Sequence, residues 1–213
     1  MLIRWAGHAA FVIQAAGHTI VTDPFGEGYG YNAIPDVADL VTVSHGHNDH
    51  AAVNQVQGKP TVVQGLGKWE FPGVTIEGFP SFHDKTAGSE RGLNTIFKIS
   101  AEGVNLLHAG DLGEIPSASL LEKLGSIDIL LIPVGDVYTI NGAEAAEVVR
   151  QLRPKIAIPM HYKTPDLIMS KELATAEPFT QTFDQVIYKQ ILNVSQQDLT
   201  GISDPQIYVL AYK

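Results

Sequence analysis

The run Ser44-His45-Gly46-His47-Asn48-Asp49-His50 constrains this chain more than any other stretch. It is an H-x-H-x-D-H pattern that follows directly on the apolar, β-branched segment 39–44 (DLVTVS), and four of its six positions from His45 to His50 carry metal-ligating side chains. His45 and His47 are two apart, so an extended backbone turns both to one side. Asp49 and His50 fall where the chain turns, so a bend there can direct one pair at one metal and the next pair at a second. Gly46 permits a tight backbone without a competing side chain. Such a run is useful only on a rigid strand end to which other elements bring further ligands.

The chain has 213 residues, eight histidines and no cysteine. That excludes a disulfide framework, a thiolate nucleophile, an iron–sulfur cluster and cysteine-ligated zinc. Any metal is held by imidazole and carboxylate, a donor set that suits zinc, manganese and iron alike. A purely structural zinc site wants four closed ligands, usually with thiolates in a chain of this size, so the cysteine count weakens that reading.

Three further ligand types stand at the ends of apolar segments. His83 lies in Ser81-Phe82-His83-Asp84, Asp111 in His108-Ala109-Gly110-Asp111, and His161 after Ile158-Pro159-Met160. Gly110 frees the backbone to bring the Asp111 carboxylate inward. Taken singly each suits an ordinary surface or structural role; beside the H-x-H-x-D-H run they read as one site on a sheet edge. His108 competes with His83 for a ligand position, and His83 is favoured, with His108 holding a ligand or facing the substrate. Asp23, before Pro24, is read equally as a turn residue or as a carboxylate that fixes a ligand imidazole. His8 and His18 are read as ordinary turn or strand residues, although His8 could line a cleft.

Along the chain, residues 2–5, 10–14, 19–22, 39–44, 61–64, 74–82, 94–100, 104–107, 128–133, 155–159, 186–192 and 206–212 read as strands. Residues 51–56 read as a short helix, 117–124 as a helix capped by Ser117, and 141–152 as a helix capped by Asn141 and stopped at Pro154. Residues 165–185 give no clear pattern. Strands come first and helices are interleaved later, which favours an α/β sandwich over an all-β barrel. No GxGxxG or P-loop sequence follows a strand, so a doubly wound nucleotide fold is disfavoured. The length suits one domain, taken as 1–213. No targeting segment or apolar run of bilayer length is seen, so a cytoplasmic protein is expected.

The residues resemble the metallo-β-lactamase fold superfamily over nearly the whole chain. Thr22-Asp23-Pro24-Phe25, His108-Ala109-Gly110-Asp111, Pro133-Val134-Gly135-Asp136 and Ile158-Pro159-Met160-His161-Tyr162 look like the small metal-dependent hydrolases of its ascorbate-6-phosphate lactonase-like branch. The resemblance implies a four-layer αββα sandwich with two divalent ions, zinc first with manganese or iron as alternatives. It implies His45, His47 and His83 on one ion, Asp49, His50 and His161 on the other, and Asp111 bridging. Asp49 and Asp111 are then the catalytic carboxylates, Asp49 taking part in moving a proton. The cysteine ligand common in the true β-lactamases is missing, which disfavours antibiotic hydrolysis.

The function expected is a dinuclear hydrolase that activates water against a small ester or lactone. The alternatives are a phosphodiesterase or nuclease-like hydrolase, and a non-catalytic metal-binding sensor on the same fold. Formal net charge is -9 and no lysine or arginine run occurs, which disfavours nucleic acid and an acidic membrane as partners. The site itself carries a different sign. Two divalent ions bring four positive charges against two carboxylates and a hydroxide, leaving about one positive unit, which fits a small anionic substrate. Tyr29, Tyr31, Arg91, Asn94, Tyr138, Tyr162 and Lys163 are candidate wall residues. Homo-oligomerisation stays open.

Overall fold

The computed structural model describes residues 1–212. Alternation along the early strands explains how one sheet serves two apolar layers. In β1 (Leu2–Gly7), β2 (Ala10–Ala15), β3 (His18–Thr22) and β4 (Val37–Val43), side chains two apart share a face. Ile3, Trp5, Phe11, Ile13, Ile20 and Leu40 point into the main core. Ala6, Ala10, Val12, Val21, Val41 and Val43 point the other way, into a smaller cluster closed by Phe25, Ile34 and Val56. Loop residues therefore cover the outer face of this sheet where a longer helix would otherwise be needed.

The first sheet is completed by β5 (Gln57–Gln64) and β13 (Ile191–Asn193), in the order β13-β1-β2-β3-β4-β5. The second contains β6 (Gly67–Phe71), β7 (Val74–Phe82), β8 (Leu93–Ala101), β9 (Val104–His108), β10 (Ile129–Pro133), β11 (Ile156–Met160), β12 (Val186–Lys189) and β14 (Gln206–Leu210). Its order is β12-β14-β11-β10-β9-β8-β7-β6. Strands β10 and β11 are buried at every position and pair in parallel, as an unbroken apolar run requires. The two sheets face each other across the main core, and the class is the expected α/β sandwich.

Two of the helices carry the caps expected from sequence. Ser117 accepts from Leu120 N–H at the start of α1 (Ala118–Leu124). Asn141 and Glu144 form a reciprocal capping box at the start of α2 (Gly142–Leu152), with bonds of 2.9 and 3.0 Å. Helix α2 packs its buried Ala145, Ala146, Val148 and Val149 toward β10 and the short α3 (Glu177–Thr180). A fourth helix, α4 (Gln196–Leu199), is a single capped turn.

Two expectations are corrected, and one strand that the sequence reading left unassigned is added. Residues 51–56 form only a 3₁₀ turn at Val53–Gln55, which has no side-chain cap and buries none of its three residues. Without a buried stripe a longer helix has no support. Residues 67–71 form a strand, β6, paired with β7. Segment 186–192 is not one strand: β12 lies in the second sheet and β13 in the first, so the chain crosses between sheets at Gln190.

Strand directions decide where the site falls. β1 runs antiparallel to β2, β2 to β3, and β3 is parallel to β4, so β1, β3 and β4 end on one side. β7 and β9 flank β8 antiparallel, and β9, β10 and β11 run parallel, so β7, β9 and β11 likewise share an end. Thr95 N–H donates to Ser44 C=O at 2.9 Å and His161 N–H to His8 C=O at 3.0 Å, tying the two sheets together at that edge. No helix among the described residues is long and apolar enough to cross a membrane.

Candidate metal centre

Each candidate residue follows a strand that ends at this shared edge. His45, His47, Asp49 and His50 follow β4, His83 follows β7, Asp111 lies just past β9, and His161 follows β11. Asp23 follows β3 and His8 follows β1. His8, His45, His50, His83, Asp111 and His161 are buried, Asp49 is half-buried and His47 is exposed at the rim.

The side chains gather into groups. His45, His47 and His83 offer ligand atoms within 4.8 Å of one another, and so do His8, Asp49, His50 and His161. Asp111 stands between them. Its Oδ2 lies 3.2 Å from His83 Nε2 and 3.8 Å from His45 Nε2, while its Oδ1 lies 3.2 Å from His50 Nε2 and 3.4 Å from His161 Nε2. His50 Nε2, His161 Nε2 and Asp111 Oδ1 are buried and make no hydrogen bond despite this proximity. Buried polar atoms are ordinarily satisfied, so lone-pair atoms converging without partners are what a cation-binding set looks like. The donor chemistry and the convergence both fit divalent metal.

Asp23 and Ser44 fix two of the imidazoles. The Asp23 carboxylate accepts from Ser44 N–H at 2.8 Å, from Ser44 Oγ–H at 2.5 Å and from His50 Nδ1–H at 2.9 Å. Ser44 has one hydroxyl proton, so its oxygen is left to accept from His45 Nδ1–H at 3.0 Å. Both Nδ1 atoms are thereby donors, and the Nε2 lone pairs of His45 and His50 face the site. Of the two readings of Asp23, the hydrogen bonds match the one in which its carboxylate holds imidazoles, that of His50 directly and that of His45 through Ser44.

His108 is engaged elsewhere. Its Nε2–H donates to Ala9 C=O at 2.8 Å and its Nδ1 accepts from Gly110 N–H at 3.2 Å. With both nitrogens used, the structure brings His83 and not His108 into the cluster. Asp111 is set by Asn94, whose Oδ1 accepts Asp111 N–H at 3.0 Å and whose Nδ2 donates to Ser81 Oγ and Ala109 C=O. Asn94 is buried and structural, so it is not the wall residue the sequence suggested.

The electrostatics favour a cation. Burial drives His45 down to about 3, with neighbouring imidazoles adding to the effect. Burial also opposes a charge on His50, yet the Asp111 and Asp23 carboxylates overcome it and hold His50 well above the usual range. Burial pushes Asp111 up, but His161 and His50 more than reverse this, leaving it well below the carboxylate range. Asp49 is likewise held low, because His8 and His50 outweigh burial.

His8 corrects the sequence reading, which took it for an ordinary residue. It is fully buried, its ring centroid is 4.1 Å from that of His161, and burial lowers its pKa to about 4. The available signal was its position: Gly7-His8 follows a strand, as the other site histidines do. His18 is ordinary as expected, with Nε2 3.0 Å from Pro72 C=O.

Beside His83 a cleft of about 320 Å³ is lined by Lys85, Thr86, Arg91, Asp136 and Tyr138. Arg91 stacks on the Tyr138 ring, 4.4 Å from Cζ to the centroid. Its near wall is the 84–91 loop, organised by Asp84, whose carboxylate accepts from the N–H groups of Thr86, Gly88, Glu90 and Arg91. Of the other wall candidates, Tyr29 stacks 6.1 Å from His8, and Tyr162 is buried against Trp5. Lys163 pairs with Glu172.

A two-sheet sandwich with histidines and aspartates gathered at one strand edge defines a metal-binding protein of the metallo-β-lactamase type. The chain belongs to the beta-lactamase superfamily: the Beta-lactamase superfamily domain matches residues 2–161. A protein of Pelotomaculum thermopropionicum named UPF0173 metal-dependent hydrolase is 34% identical over 199 residues, covering 79% of this chain and 87% of its own length. One of the same name from Carboxydothermus hydrogenoformans is 32% identical over 193 residues, covering 77% and 85%. The crystal structure of a Thermotoga maritima protein, described as a candidate zinc-dependent hydrolase of the metallo-beta-lactamase superfamily, superposes with a TM-score of 0.80. It is 37% identical, with 98% of this chain and 97% of that one covered.

Proposed function

We propose that this chain is a dinuclear metal-dependent hydrolase acting on a small anionic ester or lactone, in the manner of the ascorbate-6-phosphate lactonase-like branch. The observation that carries the reading is Asp111, whose two oxygens face two different histidine groups. His45, His47 and His83 would hold one ion, and Asp49, His50 and His161 the other, with Asp111 shared. Zinc is the first expectation, and manganese or iron suits the same donors. Bound there, two divalent ions would supply a water acidified toward neutrality and polarise the substrate's carbonyl or phosphoryl oxygen.

The chain's own residues do the rest. Asp23 and Ser44 hold the His50 and His45 rings in the tautomer that leaves Nε2 free to ligate. Asp49, the half-buried carboxylate of the set, is held low by His8 and His50 and so stays ionised, the form a metal ligand needs. In the adjoining cleft, where Lys85 is paired with Glu144, the Arg91 guanidinium is the cation offered to an anionic substrate.

The test is metal per chain for protein purified without chelator, repeated with His47→Ala and Asp111→Ala. Two ions in the parent and fewer in both variants are expected. Near-zero metal in the parent, or unchanged stoichiometry in both variants, sinks the site. Lactones, phosphodiesters and thioesters assayed with added zinc or manganese then define the substrate. Normal metal content with no turnover would instead favour a sensor.

A further inference from the structure

Two buried histidines at this edge lie outside the ligand set above, His8 and His108, and His108 has both ring nitrogens engaged by the backbone. The His8 contact differs in kind from those around Asp111. His8 Nε2 meets Asp49 Oδ2 at 3.2 Å in hydrogen-bond geometry. His50 Nε2 lies at the same 3.2 Å from Asp111 Oδ1 and makes no hydrogen bond. The second pair is arranged like two ligands of one ion, the first like a donor and its acceptor. A carboxylate only accepts, so the nitrogen facing it is the N–H of the ring.

The backbone holds that ring in place. His8 has φ +52°, a left-handed conformation uncommon outside glycine, and His161 has φ +50°. The His8 carbonyl accepts both from His161 N–H at 3.0 Å and from Trp5 Nε1–H at 2.9 Å. Ahead of it Gly7 has φ +115°, and a Cβ there would lie 2.5 Å from Tyr31 Cγ, so the tyrosine ring closes over the turn. Residues in sparsely populated backbone conformations cluster at functional sites, where the surrounding structure over-determines them.

We propose that His8 is a positioning residue for Asp49: its Nε2–H holds the carboxylate in the orientation that the ion shared with His50 and His161 requires. The inference rests on the dinuclear reading above. Partners that orient a ligand change metal affinity by about 10–100-fold when lost.

The test compares His8→Gln, which keeps an N–H donor, with His8→Met, which fills a similar volume without one. Cobalt(II) titration followed by visible absorption, with a competing chelator, reads the two uptake steps separately. Melting curves in EDTA check that each variant is folded. His8→Met should weaken one of the two steps by about 10–100-fold and leave the other within about threefold, while His8→Gln recovers most of the loss. Two ions bound by His8→Met at the parent's affinities would overturn this inference alone, as would equal losses in the two variants. A parent protein that takes up only one ion would overturn the dinuclear reading, and this inference with it.

Discussion

Asp23 Oδ2 lies 2.9 Å from His50 Nδ1, and both residues are fully buried. The same carboxylate takes Ser44 N–H and Ser44 Oγ–H. One side chain at the end of β3 thus sets the orientation of two imidazoles that follow β4. Asp23→Asn preserves the shape and removes the charge, and its amide nitrogen cannot accept from His50. Metal affinity should fall by about 10–100-fold, chiefly for the ion that His50 would hold under the proposed dinuclear reading. Calorimetric titration of the metal-stripped protein measures this, and unchanged affinity would refute the role.

Gly110 tests the link from backbone to ligand. Its φ is +56°, and a Cβ there would stand 2.3 Å from Asn94 Oδ1 and 2.7 Å from Ser44 Cβ. Asn94 Oδ1 is the acceptor for Asp111 N–H, so the intruding methyl strikes the group that holds Asp111. Gly110→Ala should cost about 1–3 kcal/mol, a drop of several degrees in the apoprotein melting temperature, and should lose metal. Melting curves with and without EDTA separate the two effects. A variant as stable as the parent with full metal content would show that Asp111 does not depend on this turn.

The H-x-H-x-D-H run was legible because its information is local: an apolar strand, a period of two and a turn. His83, Asp111 and His161 were legible as ligand types standing at strand ends. His8 was not, because its role comes from β1 running parallel to β3 and from contacts with Asp49 and His161, far away in sequence. Ser44 was passed over for a related reason: its value lies in one hydroxyl that donates to Asp23 and accepts from His45. The split of 186–193 between two sheets is set by tertiary pairing, which periodicity does not encode. Strand β6 was missed because Gly67–Phe71 is only five residues long, and its one period-two signal is the pair Trp69 and Phe71, which are partly buried against the main core.

Tyr31 gives the fold an alkaline limit. Burial pushes its hydroxyl up to about 12, while the hydroxyl bonds Thr164 Oγ1 at 2.9 Å. The unfolded value is near 10. Between about pH 10 and 12 the unfolded chain releases this proton and the folded chain keeps it, so stability present below pH 10 is lost as pH rises through 12. At about 1.4 kcal/mol per unit the two-unit gap approaches roughly 3 kcal/mol. Tyr31→Phe should start less stable, by the hydrogen bond, and then fall less steeply above pH 10. Urea unfolding at pH 8, 10 and 11.5 measures the slopes; parallel slopes would rule Tyr31 out. Tyr162, also raised by burial, should contribute in the same sense.

Arg91 carries the anionic-substrate reading to a kinetic outcome. It sits in the cleft beside His83, its guanidinium stacked 4.4 Å over Tyr138 and its own N–H bound to Asp84. The charge is therefore pre-aimed, and little ordering is needed when a substrate anion arrives. It lies outside the metal groups, so its loss should affect binding more than chemistry. Arg91→Ala should raise KM for an anionic ester by about tenfold and leave kcat within about threefold, the pattern of lost uniform binding. A neutral ester of the same acyl group should show little change. Matched steady-state assays decide it: an equal rise in KM for both esters would mean that Arg91 shapes the 84–91 loop and does not read substrate charge.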